Sequence, residues 1–177
     1  MEGVRMKRRL IAVSVVLAIC SAAVLAQVPS PGKNPILGMW KLNLEMSKFT
    51  SGPPPKSQTR QYTEREGGFI VASIWRINAQ GNPTFTQTVS KYDGKEYDQY
   101  NQTTLATFQA SGTKTGNTQS FKVIDTNTVD ITNKQDGRIA STVTRTVSPD
   151  GKTMTTVVKG TNAQGKSYTD TLVFDRQ

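Results

Sequence analysis

Seven short turn signals punctuate the chain between residues 67 and 166: Gly67-Gly68, "NAQGN" at 78–82, "YDGK" at 92–95, "DTN" at 125–127, "QDGR" at 135–138, "PDGK" at 149–152 and "NAQGK" at 162–166. Asp-Gly and similar pairs supply the positive φ angles of tight hairpins, so such signals between β-rich runs predict antiparallel pairing. The runs are rich in Thr, Val, Ile and aromatic residues, and none carries a helical period. They read as about ten strands, near 36–44, 58–66, 69–78, 83–92, 95–100, 119–125, 128–134, 138–148, 152–160 and 167–175. Long strands joined by short turns favour a sheet that closes on itself, because closure removes exposed edges. The fold expected is all-β: a single antiparallel up-and-down β-barrel of about 8–10 strands. The repeated "NAQG" is one turn solution used twice, because the neighbouring turns occur in opposite order and the strands between them do not match. A β-propeller needs at least about four four-stranded blades, more than this chain can supply.

Two segments interrupt the meander. "TSGPPPKS" at 50–57 is a stiff proline loop after the first strand, and "NQTTLATFQASGTKTGNT" at 101–118 is long and poor in large apolar residues. Loops of that length are either functional or floppy, so the second is read as a lid, with Leu105 and Phe108 over a cavity mouth, or as a disordered insertion.

The first 26 residues stand apart. Arg5, Lys7, Arg8 and Arg9 form a basic start, Leu10 to Ile19 is almost wholly apolar, and Val24-Leu25-Ala26 suits a signal peptidase. This reads as a Sec-type signal peptide cleaved before Gln27, with Met6 an alternative start. A membrane anchor is the rival reading, although the apolar stretch is short for a bilayer span. Lipoprotein anchoring through Cys20 is disfavoured because Ile19 stands where a small residue is wanted. The expected location is periplasmic or secreted, with no membrane association after cleavage. Residues 27–35 form a Pro/Gly-rich tether, and 36–177 form the domain. Cys20 is the only cysteine, so no disulfide supports the mature chain. From Gln27 onward 18 Lys and Arg stand against 12 Asp and Glu, a net charge of +6 spread without a basic run. That spread argues against nucleic acid as a partner and suits a soluble exported protein, with some bias toward an anionic small ligand. A monomer is favoured.

Alternation places Ile36, Gly38, Trp40, Leu42 and Leu44 on one face of the first strand. The third strand carries apolar residues on both faces, Phe69, Val71, Trp75 and Ile77 on one and Ile70, Ala72 and Ile74 on the other. Ile139, Val143 and Val147 share a face with Arg145, while Tyr168, Leu172 and Phe174 share theirs with Asp170 and Arg176. A charge on an apolar face needs a partner. For each arginine three partners compete: an aromatic such as Trp40, a carboxylate such as Asp170, or an anionic ligand in the interior.

Much chemistry is excluded. The chain has no histidine, which removes the commonest general base and transition-metal ligand. Without a mature cysteine, a zinc or thiol site is not expected. Asp93, Glu96 and Asp98 fail the calcium-loop spacing, and no helix follows a Gly-rich loop to hold phosphate. No metal, no cofactor and no enzymatic activity are expected.

Gly38-Met39-Trp40-Lys41-Leu42-Asn43 opens the domain, followed by Ser47-Lys48-Phe49, Lys91-Tyr92-Asp93-Gly94-Lys95, Thr142-Val143-Thr144-Arg145, Asp150-Gly151-Lys152-Thr153-Met154 and Lys159-Gly160-Thr161-Asn162. In this series the chain resembles the lipocalin and fatty-acid-binding superfamily, and more closely the small exported bacterial lipocalin-like domains of unassigned function. The resemblance covers about 36–177 apart from 101–118. It implies an antiparallel barrel around a small-molecule cavity, with Trp40 near the closed end and Arg145 or Arg176 packed over it. Gly38, Trp40 and Arg176 are accordingly assigned to barrel closure. The proline loop replaces the two lid helices of fatty-acid carriers, so fatty-acid specificity is not transferred. Trp75, Phe85, Phe121, Arg145, Tyr168 and Phe174 are taken as the ligand-binding set. Two functions remain open: a carrier of a small apolar or amphipathic ligand, and a packed barrel without a cavity serving as an envelope or secreted interaction module. They differ in whether the large interior side chains fill the lumen.

Overall fold

The computed structural model describes residues 34–101, 113–162 and 164–177. Ten antiparallel strands follow one another: β1 (Gly38–Lys48), β2 (Ser57–Arg65), β3 (Phe69–Ile77), β4 (Pro83–Ser90), β5 (Glu96–Asn101), β6 (Thr113–Val123), β7 (Thr128–Gln135), β8 (Arg138–Val147), β9 (Thr153–Thr161) and β10 (Ser167–Arg176). Their order in the single sheet is β4-β3-β2-β1-β10-β9-β8-β7-β6-β5, so β1 pairs with β10 and the meander curls into a nearly closed barrel. The up-and-down barrel expected from the turns is the fold observed. The seam lies between β4 and β5, which are the two ends of the sheet.

Turn chemistry explains most of the connections. In both Asn-Ala-Gln-Gly turns the backbone carbonyl of the asparagine accepts from the glycine N–H, Asn78 from Gly81 at 3.0 Å and Asn162 from Gly165 at 2.9 Å, and its side-chain oxygen accepts from the closing residue: Asn78 Oδ1 from Asn82 N at 2.8 Å, and Asn162 Oδ1 from Lys166 N at 2.9 Å. A local side-chain acceptor that mimics the backbone is what selects asparagine here. The "YDGK" signal behaves differently from a hairpin. Its Gly94 N–H donates to Phe121 O on β6 at 2.9 Å, and the turn leads across the seam instead of pairing β4 with β5.

Two irregularities move side chains off the faces that strict alternation assigns. In β1 the pairing jumps from Asn43↔Val173 to Lys48↔Thr171, leaving a bulge held by Ser47, whose hydroxyl donates to Asn43 O at 2.6 Å and accepts from Val173 N at 2.9 Å. Leu44, expected on the buried face, is exposed there. In β8 the pairing with β7 shifts between Ser141 and Ile139, and Ile139 is exposed although alternation groups it with Val143 and Val147. An odd number of extra residues, three in β1 and one in β8, exchanges the two faces of a strand, which is the physical reason for both corrections. Of the 101–118 segment, 113–118 belongs to β6, and the suggested lid residues Leu105 and Phe108 lie outside the described residues.

The principal core gathers at one end of the barrel, where Trp40, Met154 and Phe174 are completely buried together with Ile36, Tyr62 and Val147. A smaller cluster of Phe121, Ile131 and Val143 lies on β6, β7 and β8, bridged to the first by Tyr92 and Val158. Side chains therefore fill one end, while the middle of the barrel is lined more sparsely.

Candidate functional site

The filled end is built around Trp40. Its indole N–H donates to Ile36 O at 2.7 Å, and the Arg176 guanidinium lies 4.1 Å above the ring. Arg176 also donates through Nη1 to Leu37 O at 2.7 Å and through Nη2 to Pro35 O at 2.6 Å. Gly38 leaves room for this arginine: its φ is +121°, and a Cβ there would stand 2.8 Å from Arg176 Nη1. Burial lowers the arginine's pKa from its ordinary value. Of the two arginines that competed for Trp40, Arg176 occupies the ring.

Above this end lies a cavity of about 200 Å³. Its described lining residues include two guanidinium groups, Arg60 and Arg145, and no carboxylate. Arg145 is 5% exposed. It donates through Nη1 to the Tyr62 hydroxyl at 3.2 Å and through Nη2 to the Tyr92 hydroxyl, and its Cζ sits 4.9 Å from the Tyr62 ring and 5.4 Å from the Tyr92 ring. Burial alone would weaken its charge, but the two phenolic oxygens outweigh that and raise its pKa above the ordinary value. At Tyr62 burial pushes the phenol up, yet the fields of Arg145 and Arg60 prevail and its pKa falls below 10.0. At Tyr92 burial wins over Arg145 and the pKa rises.

Arg60 rests 4.4 Å over the Phe174 ring. Buried Gln58, with its amide oxygen turned to Arg60, accepts from Nε at 2.8 Å and Nη2 at 3.0 Å. Two polar atoms of the cavity wall, Thr156 Oγ1 and Gln119 Oε1, are buried without a hydrogen-bond partner among the described residues. A buried polar group left unpaired is costly, so two groups of unmet capacity, Thr156 and Gln119, border the same space as the two guanidinium groups.

The structure brings together two members of the expected ligand-binding set, Phe121 and Arg145, both on the cavity wall. Trp75 and Phe85 require correction. They face each other across β3 and β4, ring centroids 5.3 Å apart, and Trp75 is 43% exposed, because the interior face of β3 is the one carrying Ile70, Ala72 and Ile74. Phe174 points inward but is completely buried in the filled end beneath Arg60, below the cavity. Tyr168 covers Gly160 on the neighbouring strand, where a Cβ would meet its hydroxyl at 2.8 Å, and it is absent from the cavity wall. With two large aromatics turned outward and two packed elsewhere, the lumen keeps free space.

Alternation could not find Arg60 or Tyr62, since β2 reads polar on both faces: Gln58, Arg60 and Tyr62 inward, Thr59, Gln61 and Thr63 outward. Tyr92 sits in a turn motif by sequence. Its place in the site comes from stacking on Phe121, with centroids 4.8 Å apart and an interplanar angle of 8°.

At the other end Asp170 answers a separate need. Its Oδ1 accepts from Thr50 N at 2.6 Å and Ser51 N at 2.9 Å, and its Oδ2 from the Ser51 hydroxyl, tying the proline loop to β10. Burial pushes this carboxyl up, but those hydrogen bonds more than offset it and its pKa lies below 3.8. Asp170 is therefore the loop's anchor, and neither Arg145 nor Arg176 uses it. Among the described residues no cluster of three His, Cys, Asp or Glu side chains could hold a metal ion.

This arrangement defines a nearly closed, ten-stranded antiparallel up-and-down barrel with a small charged interior. Among solved structures the chain is similar to the fluorescent protein UnaG, at 15% identity with a TM-score of 0.51, covering 80% of this chain and 96% of that one. It also aligns with zebrafish ileal bile acid-binding protein complexed with cholic acid, at 11% identity and a TM-score of 0.47, over 81% and 99% of the two chains. As-p18, an extracellular fatty acid binding protein, aligns at 13% identity and 0.48, over 81% and 97%. No protein-family model and no curated protein sequence matches the chain. At 15% identity the likeness to UnaG is one of fold alone.

Proposed function

We propose that this chain is an exported, non-enzymatic barrel that binds a small amphipathic anion in its interior, with the anionic group on Arg145. One observation carries the reading: a buried guanidinium faces a cavity of about 200 Å³ whose lining residues include no carboxylate. A buried charge is normally paired, and no carboxylate among the described lining residues stands against this one. Arg60 shares the space and adds a second positive charge. Apolar contact for the rest of the ligand comes from Ile70, Phe121, Ile131 and Val143. The volume lies below the roughly 300–1,000 Å³ of ordinary ligand pockets, which favours a compact single-ring acid over a long-chain lipid. Export rests on the leader at 1–26, and N-terminal sequencing of protein recovered from the secretory route should begin at Gln27.

The binding test is calorimetric. Benzoate should bind the mature chain, and its neutral isostere benzamide should bind more weakly. Arg145→Met should weaken benzoate by about 10- to 100-fold, the range for hydrogen bonds to charged groups, while leaving the β-sheet circular dichroism unchanged. A folded Arg145→Met protein that binds benzoate as tightly as the parent would overturn the proposal.

A further inference from the structure

The interior polar groups are arranged in layers, and the layers describe a ligand with two polar ends. Strand register sets the spacing. Arg145 stands directly opposite Thr156, two residues further up β8 comes Val143 beside Ile131, and two beyond that comes Ser141 beside Asn133, which in turn pairs with Gln119. At the usual strand rise each step of two residues climbs about 7 Å. The lowest layer is cationic, with Arg145 and the unpartnered Thr156 hydroxyl, the middle layer is apolar with Phe121, and the upper layer ends in Gln119.

The upper layer has a defined polarity. Gln119 Nε2 donates to Asn133 Oδ1 at 2.8 Å, and Asn133 Nδ2 donates to Ser141 Oγ at 2.8 Å. This relay commits the Gln119 amide nitrogen to the wall. The amide oxygen is left buried, bordering the cavity and without a partner. An amide oxygen only accepts, so what completes it is a donor. Thr156, 2% exposed, differs: its hydroxyl can donate, and its position opposite Arg145 gives it to the same anionic group.

Resting on the reading of Arg145 as an anion anchor, we infer that the ligand carries a hydroxyl or N–H group at the end opposite its anion, and that Gln119 Oε1 accepts from it. The ligand class is thus a compact hydroxylated or amino-substituted organic acid with an apolar ring or short chain between its two polar ends. A simple alkyl carboxylate would leave Gln119 unpaired and is discriminated against, because sites that bury an unmatched polar group reject the analogue that fails to match it.

The test compares benzoate, para-hydroxybenzoate and para-methoxybenzoate by calorimetry on the mature chain, its Gln119→Leu variant and its Arg145→Met variant, each checked for fold by circular dichroism. The hydroxyl compound should bind the parent about tenfold tighter than the methoxy compound, and Gln119→Leu should remove that preference while keeping benzoate binding. Equal affinity for the two on the parent, or tighter binding of the methoxy compound, overturns the donor inference and leaves the Arg145 anchor standing. A preference that survives Gln119→Leu overturns the assignment to this residue. If Arg145→Met binds all three as the parent does, or benzoate does not bind the parent, the anchor itself fails and this inference falls with it. Should Gln119→Leu unfold, Gln119→Met replaces it: its thioether is a poor acceptor, so the preference for the hydroxyl compound must be lost, and a preference unchanged in that variant overturns the assignment to Gln119.

Discussion

The two tryptophans measure how much one side chain's setting decides its worth. Trp40 is completely buried, with its indole N–H bonded and a guanidinium over its face, whereas Trp75 is half exposed against Phe85 on the outer wall. Truncating a buried aromatic costs about 3–5 kcal/mol, and losing an exposed aromatic pair about 0.5–1.5 kcal/mol. At about 2–4 °C per kcal/mol for a chain this size, Trp40→Ala should lower the melting temperature by about 6–20 °C and Trp75→Ala by only a few degrees. Melting curves followed by circular dichroism check the contrast. Equal losses would mean that Trp75 is not on the outer surface. Gly38 belongs to the same device, since any side chain there adopts an unfavourable φ and displaces Arg176.

Between elements, the proline loop and β10 are joined through one carboxylate. Asp170 has a depressed pKa, so its contribution is fully present above the ordinary 3.8 and is lost as the pH falls through the lower folded value. Replacing it with asparagine should lower the melting temperature near neutrality, and the gap between the two proteins should close as the solution is acidified below about pH 4. A gap that stays constant with pH would rule out the carboxylate as the anchor. This contact also shows what a linear reading can reach. Number and order of strands were legible because hairpin turns advertise themselves as Gly, Asn and Asp at fixed positions. Interior membership was legible where a strand alternates strongly, as with Trp40 and Leu42. It failed at Leu44 and Ile139, where bulges exchange the faces, and at β2, where both faces are polar. Arg145 was visible as a charge on an apolar face, but its partners Tyr62 and Tyr92 are 83 and 53 residues away and no local pattern joins them.

Across the molecule, the described residues leave one place in the sheet where neighbouring strands are not bonded, between β4 and β5. Amides facing that seam lack the ladder partners that protect β1, β9 and β10, which are paired on both sides. Hydrogen exchange should therefore be fastest along the facing edges of β4 and β5 and slowest in β1, β9 and β10. Uniform protection around the ring would mean that the seam is closed in solution. The opposite side of the ring has a different consequence. β1 lies between β2 and β10, and its side chain Asn43 reaches Asp175 across 132 residues of sequence. The first strand thus cannot gain its second neighbour until the tenth has been synthesised, and the carbonyls that Arg176 will hold wait unclaimed until then. Chains made only in part lack the β1–β10 pairing, so the order of synthesis itself delays closure of the ring.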